Sequence, residues 1–399
     1  MGKFIMIKPE DTLFFRDGKP FEMGVDNFSH FIFPPFPMTF YGALRTAIIS
    51  SVATVRDFLN AHIEENVKDV VGDTSNPGNL EIKGPFLFHI DYLTESKIVL
   101  APLPYDLLEY NSGNRTIFVK ITPNDSLHFY SNLKYEITPA TPQEETESKE
   151  HEERYINIIN LVTAYFLSGI FNANEITNKT RVKTEIFEIE RKVGIKLDKS
   201  TKSTEENYLY SASHIRLKEG FGFLVEVNND NNLLPNQGYL RLGGDTRVAE
   251  FKKIDFDLSS ITEDIVNNLP ELNEDFLLEF ILLTPAIFKN GWYPDFLNND
   301  MGFLKGKFGG ISLTLISAVL GKPLYIGGFD LAKGYPKEMK KAVPAGSVYY
   351  FKIDGATDRD KIKEFIKKYN FSSIETEPLF KKQGFGITLI GGGARWVKK

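Results

Sequence analysis

The sequence predicts an α+β protein, and three observations carry that expectation. Runs rich in β-branched and aromatic residues recur along the chain, a few segments show helical spacing instead, and aromatics make up 13% of the 399 residues, which favours β-rich packing. In the last part of the chain these signals fall into an order. Phe276–Leu283, Ile311–Leu320, Ser347–Ile353 and Gly384–Ile390 read as strands. Asp358–Asn370 reads as an amphipathic helix, with Ile362, Phe365, Ile366 and Tyr369 on one face, acids early and lysines late as the helix dipole favours. With one further helix in the irregular Lys289–Lys307 stretch, which Pro294, Gly302 and Gly306 interrupt, the order becomes βαββαβ, a ferredoxin-like or RNA-recognition-type domain.

From the N-terminus, Phe4–Ile7 is a short strand, and Leu13–Gly24 places Asp17-Gly18 between two aromatic runs as a tight turn, with Arg16 beside it. Three prolines hold Phe31–Pro37 extended. A long helix is expected from Thr39, its cap, through Phe40, Leu44, Ile48, Val52, Val55, Leu59 and Ile63. Arg45 lies in its first two turns next to Gly42 and Ala43, which let another backbone approach, so it reads either as a surface residue or as an anion contact. Strands follow at Pro85–Tyr92, Lys97–Ala101 and Thr116–Ile121. Thr138–Glu153, with six glutamates and two prolines, reads as an acidic linker, and a second helix is expected from Arg154 to Ile170. Lys179–Lys202 is locally basic, with eight bases against four acids. Tyr208–Leu217 and Gly222–Val227 read as a hairpin turned at Lys218-Glu219-Gly220, and Leu240–Phe251 as a strand pair turned at Gly243-Gly244-Asp245. A boundary near Ser259-Ser260 divides the chain into residues 1–258 and 259–399.

A balance of 47 bases and 53 acids, net −6, argues against non-specific coating of nucleic acid but leaves room for a local basic strip. Zero cysteines exclude disulfides, thiolate nucleophiles and cysteine-ligated metals. The six histidines are dispersed without metal-ligand spacing, and no GxSxG is present, so no metal, cofactor or catalytic constellation is expected. No apolar run approaches the ~20 residues that span a bilayer, and a cytoplasmic protein without a membrane partner is expected. Two stretches invite an anion-binding reading. Gly321–Phe351 is a glycine-punctuated connection between two strands carrying Lys322, Lys333, Lys337, Lys340 and Lys341, a solvated loop or an anion contact. The C-terminal stretch from Lys381 has five bases and no acid around two glycine clusters, with Phe385 and Trp396 as aromatics, but lacks both the P-loop ending and the dinucleotide spacing; it reads equally as a last strand with a basic tail.

Seven stretches together, LFFRDGKPFEMG, GALR, ERKVGIKLDKSTKSTEENYLY, LRLGGDTRVAEF, TPAIFKNGWYPDF, IGGFDLAKGYPKEMKKAVPAGSVYYF and GFGITLIGG, resemble the third-subunit family of the Cmr complex. That complex is the type III-B CRISPR effector, and the family belongs to the repeat-associated mysterious protein (RAMP) superfamily. The resemblance runs from about Lys3 to Ile390. It implies two ferredoxin-like domains with glycine-rich loops and insertions, and a non-catalytic subunit that caps the foot of the effector. Such a subunit grips the repeat-derived 5′ tag of the guide RNA and touches the large polymerase-like subunit and the first backbone subunit. Carried onto this sequence, the RNA-facing residues are Arg16, Arg45, Arg191, Lys192, Arg241, Arg247 and the loop Gly384, Phe385 and Gly386. Lys333, Lys337, Lys340 and Lys341 are partner-docking or secondary RNA contacts. The chain departs from the family pattern in its GGGARW ending and its acidic insertion. The competing expectation is a metal-independent endoribonuclease of repeat RNA, with His30 and Tyr41 as the first acid–base pair to test.

Overall fold

The computed structural model describes residues 2–15, 28–29, 31–112, 115–124, 137–138, 140–141, 153–167, 172–176, 179–197, 204–330, 334–355 and 358–395. The expected turn at Asp17-Gly18 and nearly all of the acidic linker lie outside these. The chain forms two compact units that alternate along the sequence: Met1–Lys97, Thr184–Ile254 and Leu324–Lys341 make the first, and Ile98–Lys183, Asp255–Pro323 and Ala342–Lys399 the second. One crossing, Ile254 to Asp255, falls close to the expected boundary. The others are long-range exchanges that no local composition shift marks.

The first unit is built on a five-stranded antiparallel sheet. Lys3–Pro9 sits between Phe221–Asn228 and Val248–Ile254, Glu81–Asp91 lies outside Phe221–Asn228, and Gln237–Arg241 outside Val248–Ile254. Strand alternation puts Ile5, Ile7, Phe223, Val225 and Val227 on one face, all at most 1% exposed. The helix Pro37–Val52 covers that face, its Phe40 ring 5.0 Å from Phe223. This helix is shorter than its apolar spacing predicts. Pro37, not Thr39, starts it, and Thr54 stops the run by forming a capping box with Asp57 for a separate helix, Val55–Leu59. A second layer is the long hairpin Phe187–Leu197 with Thr204–Leu217. The expected Tyr208–Leu217 to Gly222–Val227 hairpin is therefore replaced: the two runs are adjacent in sequence but pair with different strands, Phe187–Leu197 and Glu81–Asp91 respectively. The strand pair at Leu240–Phe251 forms as expected.

In the second unit, seven strands lie in the order Leu297–Asp300, Phe303–Phe308, Ile311–Val319, Val348–Ile353, Phe276–Leu282, Ile387–Arg395 and Ser372–Ser373, all antiparallel. The helix expected in Lys289–Lys307 is absent. Its place is taken by a hairpin turned on Met301 (φ 49°) and Gly302 (φ 96°), two successive left-handed residues that suit the twist of a tight hairpin. Ser259–Asn267 supplies a helix from the N-terminal side instead, lying beside Arg359–Tyr369 through Lys367–Glu263 (2.8 Å) and Asn370–Thr262 (3.2 Å). The expected helix from Arg154 begins as a strand, Arg154–Asn157, and turns helical only at Ile158, where Asn157 caps it.

The central strands of this sheet are covered on both faces. Phe280 and Phe351 (4.8 Å apart) face Phe365 of the helix Arg359–Tyr369, with Phe308 and Tyr369 completing the aromatic layer. Glu279 and Tyr350, paired across the adjacent strands, point the other way. There the Tyr165 and Tyr350 hydroxyls each donate to one oxygen of the buried Asp106, both at 2.5 Å, and Lys120 pairs with Glu279 while its ammonium lies 4.0 Å from the Tyr165 ring centroid. The run Gly391-Gly392-Gly393 is what lets this layer approach: a Cβ on Gly391 would lie 2.5 Å from the Phe166 ring, and one on Gly393 2.8 Å from the Tyr165 carbonyl oxygen.

Candidate nucleic-acid interface

The charged side chains converge in the first unit. Even-numbered residues of the long hairpin, Glu190, Lys192, His214 and Arg216, share one face, and residues Asp11–Phe14 join its edge through the reciprocal Leu13–Ile215 bonds of 2.8 Å. The turn after Arg241 packs onto the same segment. Gly243 (φ +80°) and Gly244 lie so close to Phe14 and Phe15 that a Cβ would stand 2.5 Å from the Phe14 carbonyl oxygen and 2.8 Å from its ring, respectively. Asp245 and Thr246 follow with φ of 54° and 51°, left-handed values that cost non-glycine residues strain.

Three sequence motifs thus meet at one place. Arg216 Nη2 donates to Asp11 Oδ1 at 2.7 Å and its Nε to Glu190; Arg247 Nη1 donates to Asp11 Oδ2 at 3.1 Å; Lys192 Nζ donates to Thr12 Oγ1 at 3.1 Å. A hydrogen bond from the Thr12 backbone and the neighbouring Arg216 hold the Asp11 carboxyl below its usual range, and bonds to Glu190 and Asp11 raise Arg216 further, so this ion pair holds its charges. Among the described residues, three bases against two acids leave it positive.

Beside it, His214 is buried and stacks on Phe14 (4.9 Å, 23° between planes), with Nε2 3.1 Å from Asp245 and Nδ1 3.4 Å from the Ala212 carbonyl. Both ring nitrogens are engaged, which suits a structural role for this histidine. For the expected acid–base pair, His30 lies outside the described residues. Tyr41 is buried and its hydroxyl pKa is pushed up by desolvation, the wrong direction for a base.

The other expected RNA contacts fall elsewhere. Arg191 is exposed but points to the opposite face of the strand from Lys192, between the exposed Ile189 and Val193, and Arg241 is exposed on the edge strand Gln237–Arg241. Arg45 braces the first unit internally: it donates to the Val71 and Asp73 carbonyls at 2.5 and 2.7 Å, with its guanidinium 4.9 Å from the Phe58 ring centroid. The loop Gly384–Gly386 is also engaged internally. Its three amides donate to Lys381, Phe380 and Pro285 carbonyls at 3.1, 3.1 and 2.8 Å, and Phe385 is fully buried, so neither an amide nor a ring is presented to a ligand. In the basic connection, Lys337 and Lys341 are exposed and Lys340 pairs with Glu338 at 2.6 Å; Tyr325, Phe329, Tyr335 and Met339 are exposed around them. Arg16 and Lys333 lie outside the described residues.

Sequence reasoning missed Asp11, Glu190 and Arg216. The period-two alternation of the hairpin is the signal that places Glu190 and Arg216 with Lys192, whereas nothing local points to Asp11. Among the described residues no cluster of three or more His, Asp or Glu side chains can hold a metal ion, and no helix is long and apolar enough to cross a membrane.

A model of the CRISPR-associated protein family Cas_Cmr3 matches residues 5–392. The chain is similar to the CRISPR system CMR subunit Cmr3 of Saccharolobus solfataricus, with 24% identity over 395 residues covering 98% of this chain and 96% of the relative. Among solved structures it is similar to a chain of the type III-B Cmr-beta complex bound to cognate target RNA and AMPPnP (21% identity, TM-score 0.48, 96% of this chain and 95% of that one). It is also similar to a chain of the Csm3-Csm4 subcomplex of the type III-A CRISPR-Cas interference complex (13% identity, TM-score 0.33, 89% and 95%).

Proposed function

The chain belongs to the Cas_Cmr3 family of CRISPR-associated proteins, which makes it a subunit of a type III-B effector, and on that footing we propose that it is a non-catalytic, RNA-binding structural subunit. In this reading it holds the repeat-derived 5′ tag of the guide RNA and contacts the large polymerase-like subunit and the first backbone subunit of a cytoplasmic ribonucleoprotein. The observation that carries it is the convergence of Lys192, Arg216 and Arg247 on one face of a long hairpin whose other face carries Arg191, in a chain of net charge −6. A subunit that holds one short RNA segment needs a basic strip, not a basic surface.

Strand order supports a ferredoxin-like reading of both units. Numbering the core strands 1 to 4 along the chain, Lys3–Pro9, Glu81–Asp91, Phe221–Asn228 and Val248–Ile254 lie in the order 4-1-3-2. So do Phe276–Leu282, Ile311–Val319, Val348–Ile353 and Ile387–Arg395. Residues 1–258 and 259–399 are then two such domains, with Ile98–Lys183 and Leu324–Lys341 as exchanged insertions. The exposed Lys337 and Lys341, set among aromatics, are the docking or secondary RNA contacts.

Crosslinking of guide RNA in the assembled complex, read out by peptide, tests the proposal. Crosslinks are expected in 187–217 and 240–248. Crosslinks confined to 384–395, or metal-independent cleavage of repeat RNA by the pure chain, would overturn it.

A further inference from the structure

Asp11 does something unusual for a surface acid: each of its two oxygens receives a different arginine from a different segment, Arg216 from the long hairpin and Arg247 from the turn before Val248–Ile254. A phosphodiester offers the same pattern, one negative charge shared by two outward oxygens, and guanidinium groups receive carboxylate and phosphate in the same forked geometry. We propose that Asp11 occupies the seat of an RNA phosphate, and that Arg216 and Arg247 form a clamp which RNA opens by displacing Asp11. The inference rests on the RNA-binding reading above and adds to it a specific phosphate seat with a built-in competitor.

Three features make the exchange feasible. Asp11 is half-exposed, 51% at the side chain, in the bend that follows the first strand, so it leaves into water without breaking the core, and exposed ion pairs are weak. Both arginines stay in place when it leaves. Arg216 keeps Glu190, and Arg247 is fixed through its backbone, which closes the turn by accepting from Leu242 N–H at 2.8 Å and donating to Gly244 at 3.3 Å. Finally, Arg247 Nε is shielded from water and has no hydrogen-bond partner among the described residues, so an entering phosphate oxygen that reaches it satisfies that donor. Lys192, close enough to act on the Asp11 charge, keeps the vacated seat positive.

The test is a titration of the full chain with a labelled single-stranded RNA carrying the repeat-derived tag. Asp11→Asn keeps the shape and removes the competing charge, and is expected to tighten binding about three- to tenfold, the weight of one charge-assisted contact. Arg216→Gln and Arg247→Gln are expected to weaken it by about tenfold each, and Asp11→Asn should gain nothing in the Arg216→Gln background. Arg216→Lys, which keeps charge but not the fork, should recover only part, separating recognition from folding; thermal melts check that each variant is folded. If Asp11→Asn leaves affinity unchanged or lowers it while the arginine variants still weaken binding, the gated seat is wrong and the RNA-binding reading stands. If the arginine variants and Arg191→Gln all bind as the parent does, this face does not hold RNA and the broader reading falls with the inference. Asp11→Asn strengthening retention of a partner subunit but not of RNA would also overturn it, since the seat would then take a protein carboxylate.

Discussion

Replacing Lys120 by Met tests what covers the second unit's sheet. The Lys120 side chain is 6% exposed and that of its partner Glu279 is 0%, so both charges are out of water and neutralise each other there. Removing one member of such a pair typically costs about 3–5 kcal/mol, because the remaining charge stays buried without its counter-ion. Loss of the ammonium over the Tyr165 ring, 4.0 Å from its centroid, adds about 0.5–2 kcal/mol, part of which the methionine sulfur returns. We therefore predict a destabilisation of roughly 3–5 kcal/mol for Lys120→Met, and recovery of at least half of it in Lys120→Met with Glu279→Gln, which removes the stranded charge and keeps the amide oxygen as an acceptor. Denaturant midpoints of the full chain, followed by near-ultraviolet circular dichroism from the tyrosine layer, report both. A single variant costing under about 1 kcal/mol, or a double variant no better than the single, would refute the claim that this pair is desolvated and coupled.

Burial pushes the Glu375 carboxyl up to about 8 from 4.5, with Asp295 and Glu377 adding to the rise against the Ile287 amide that it accepts. A folded value above the unfolded one means stability that is full below pH ~4.5 and lost as pH rises through ~8. The parent should lose roughly 2–3 kcal/mol between pH 6 and 9, and Glu375→Gln should flatten that slope in melts across the range. Arg45→Met breaks its two bonds to the Val71 and Asp73 carbonyls and should cost about 1.5–3 kcal/mol in denaturant midpoint, with no loss of guide RNA from the assembled complex beyond what that destabilisation explains. Gly391→Ala drives a methyl into the Phe166 ring and should cost about 1–3 kcal/mol by the same measurement; a neutral result would mean the tyrosine layer is looser than its geometry implies.

Where local pattern and burial agree, the sequence was legible. The helix Arg359–Tyr369 forms with its expected apolar face and charge gradient, Asp358 capping it, and the strand pair at Leu240–Phe251 turns where its glycines put it. The misreadings share a cause. A βαββαβ order asks for a helix in Lys289–Lys307, yet Asn299 to Gly302 is a hairpin turn, and the helix that fills the layer, Ser259–Asn267, precedes the first strand. Local pairing favours Tyr208–Leu217 with the run that follows it, but this preference yields when the two runs find other partners, Phe187–Leu197 and Glu81–Asp91. In the site, Lys192 and Arg247 were legible as bases but Asp11 was not. A single exposed acid acquires meaning only when the fold sets two arginines on it.

Glycine was the residue most open to two readings, and the two are separable on physical grounds. A glycine that serves a phosphate leaves its amide pointing outward; a glycine that serves packing removes a Cβ from a contact too short for one. Gly384 and Gly386 fail the first condition, since their amides donate to Lys381 and Pro285, and Gly391 meets the second against Phe166. The same logic limits the second unit more broadly. An RNA-recognition-type sheet binds by stacking bases on aromatics that its central strands expose, and here Tyr349, Tyr350, Phe280 and Phe351 are all fully buried, two of them holding Trp292 or Asp106 through their hydroxyls. Base stacking on that sheet is therefore closed off, whereas the first unit presents Arg191 and Arg216 on its long hairpin, with Arg247 in the turn beside it. If the two units do divide the work this way, charge-reversal at Arg191 should release guide RNA, while Tyr350→Phe should lower stability and leave RNA affinity unchanged.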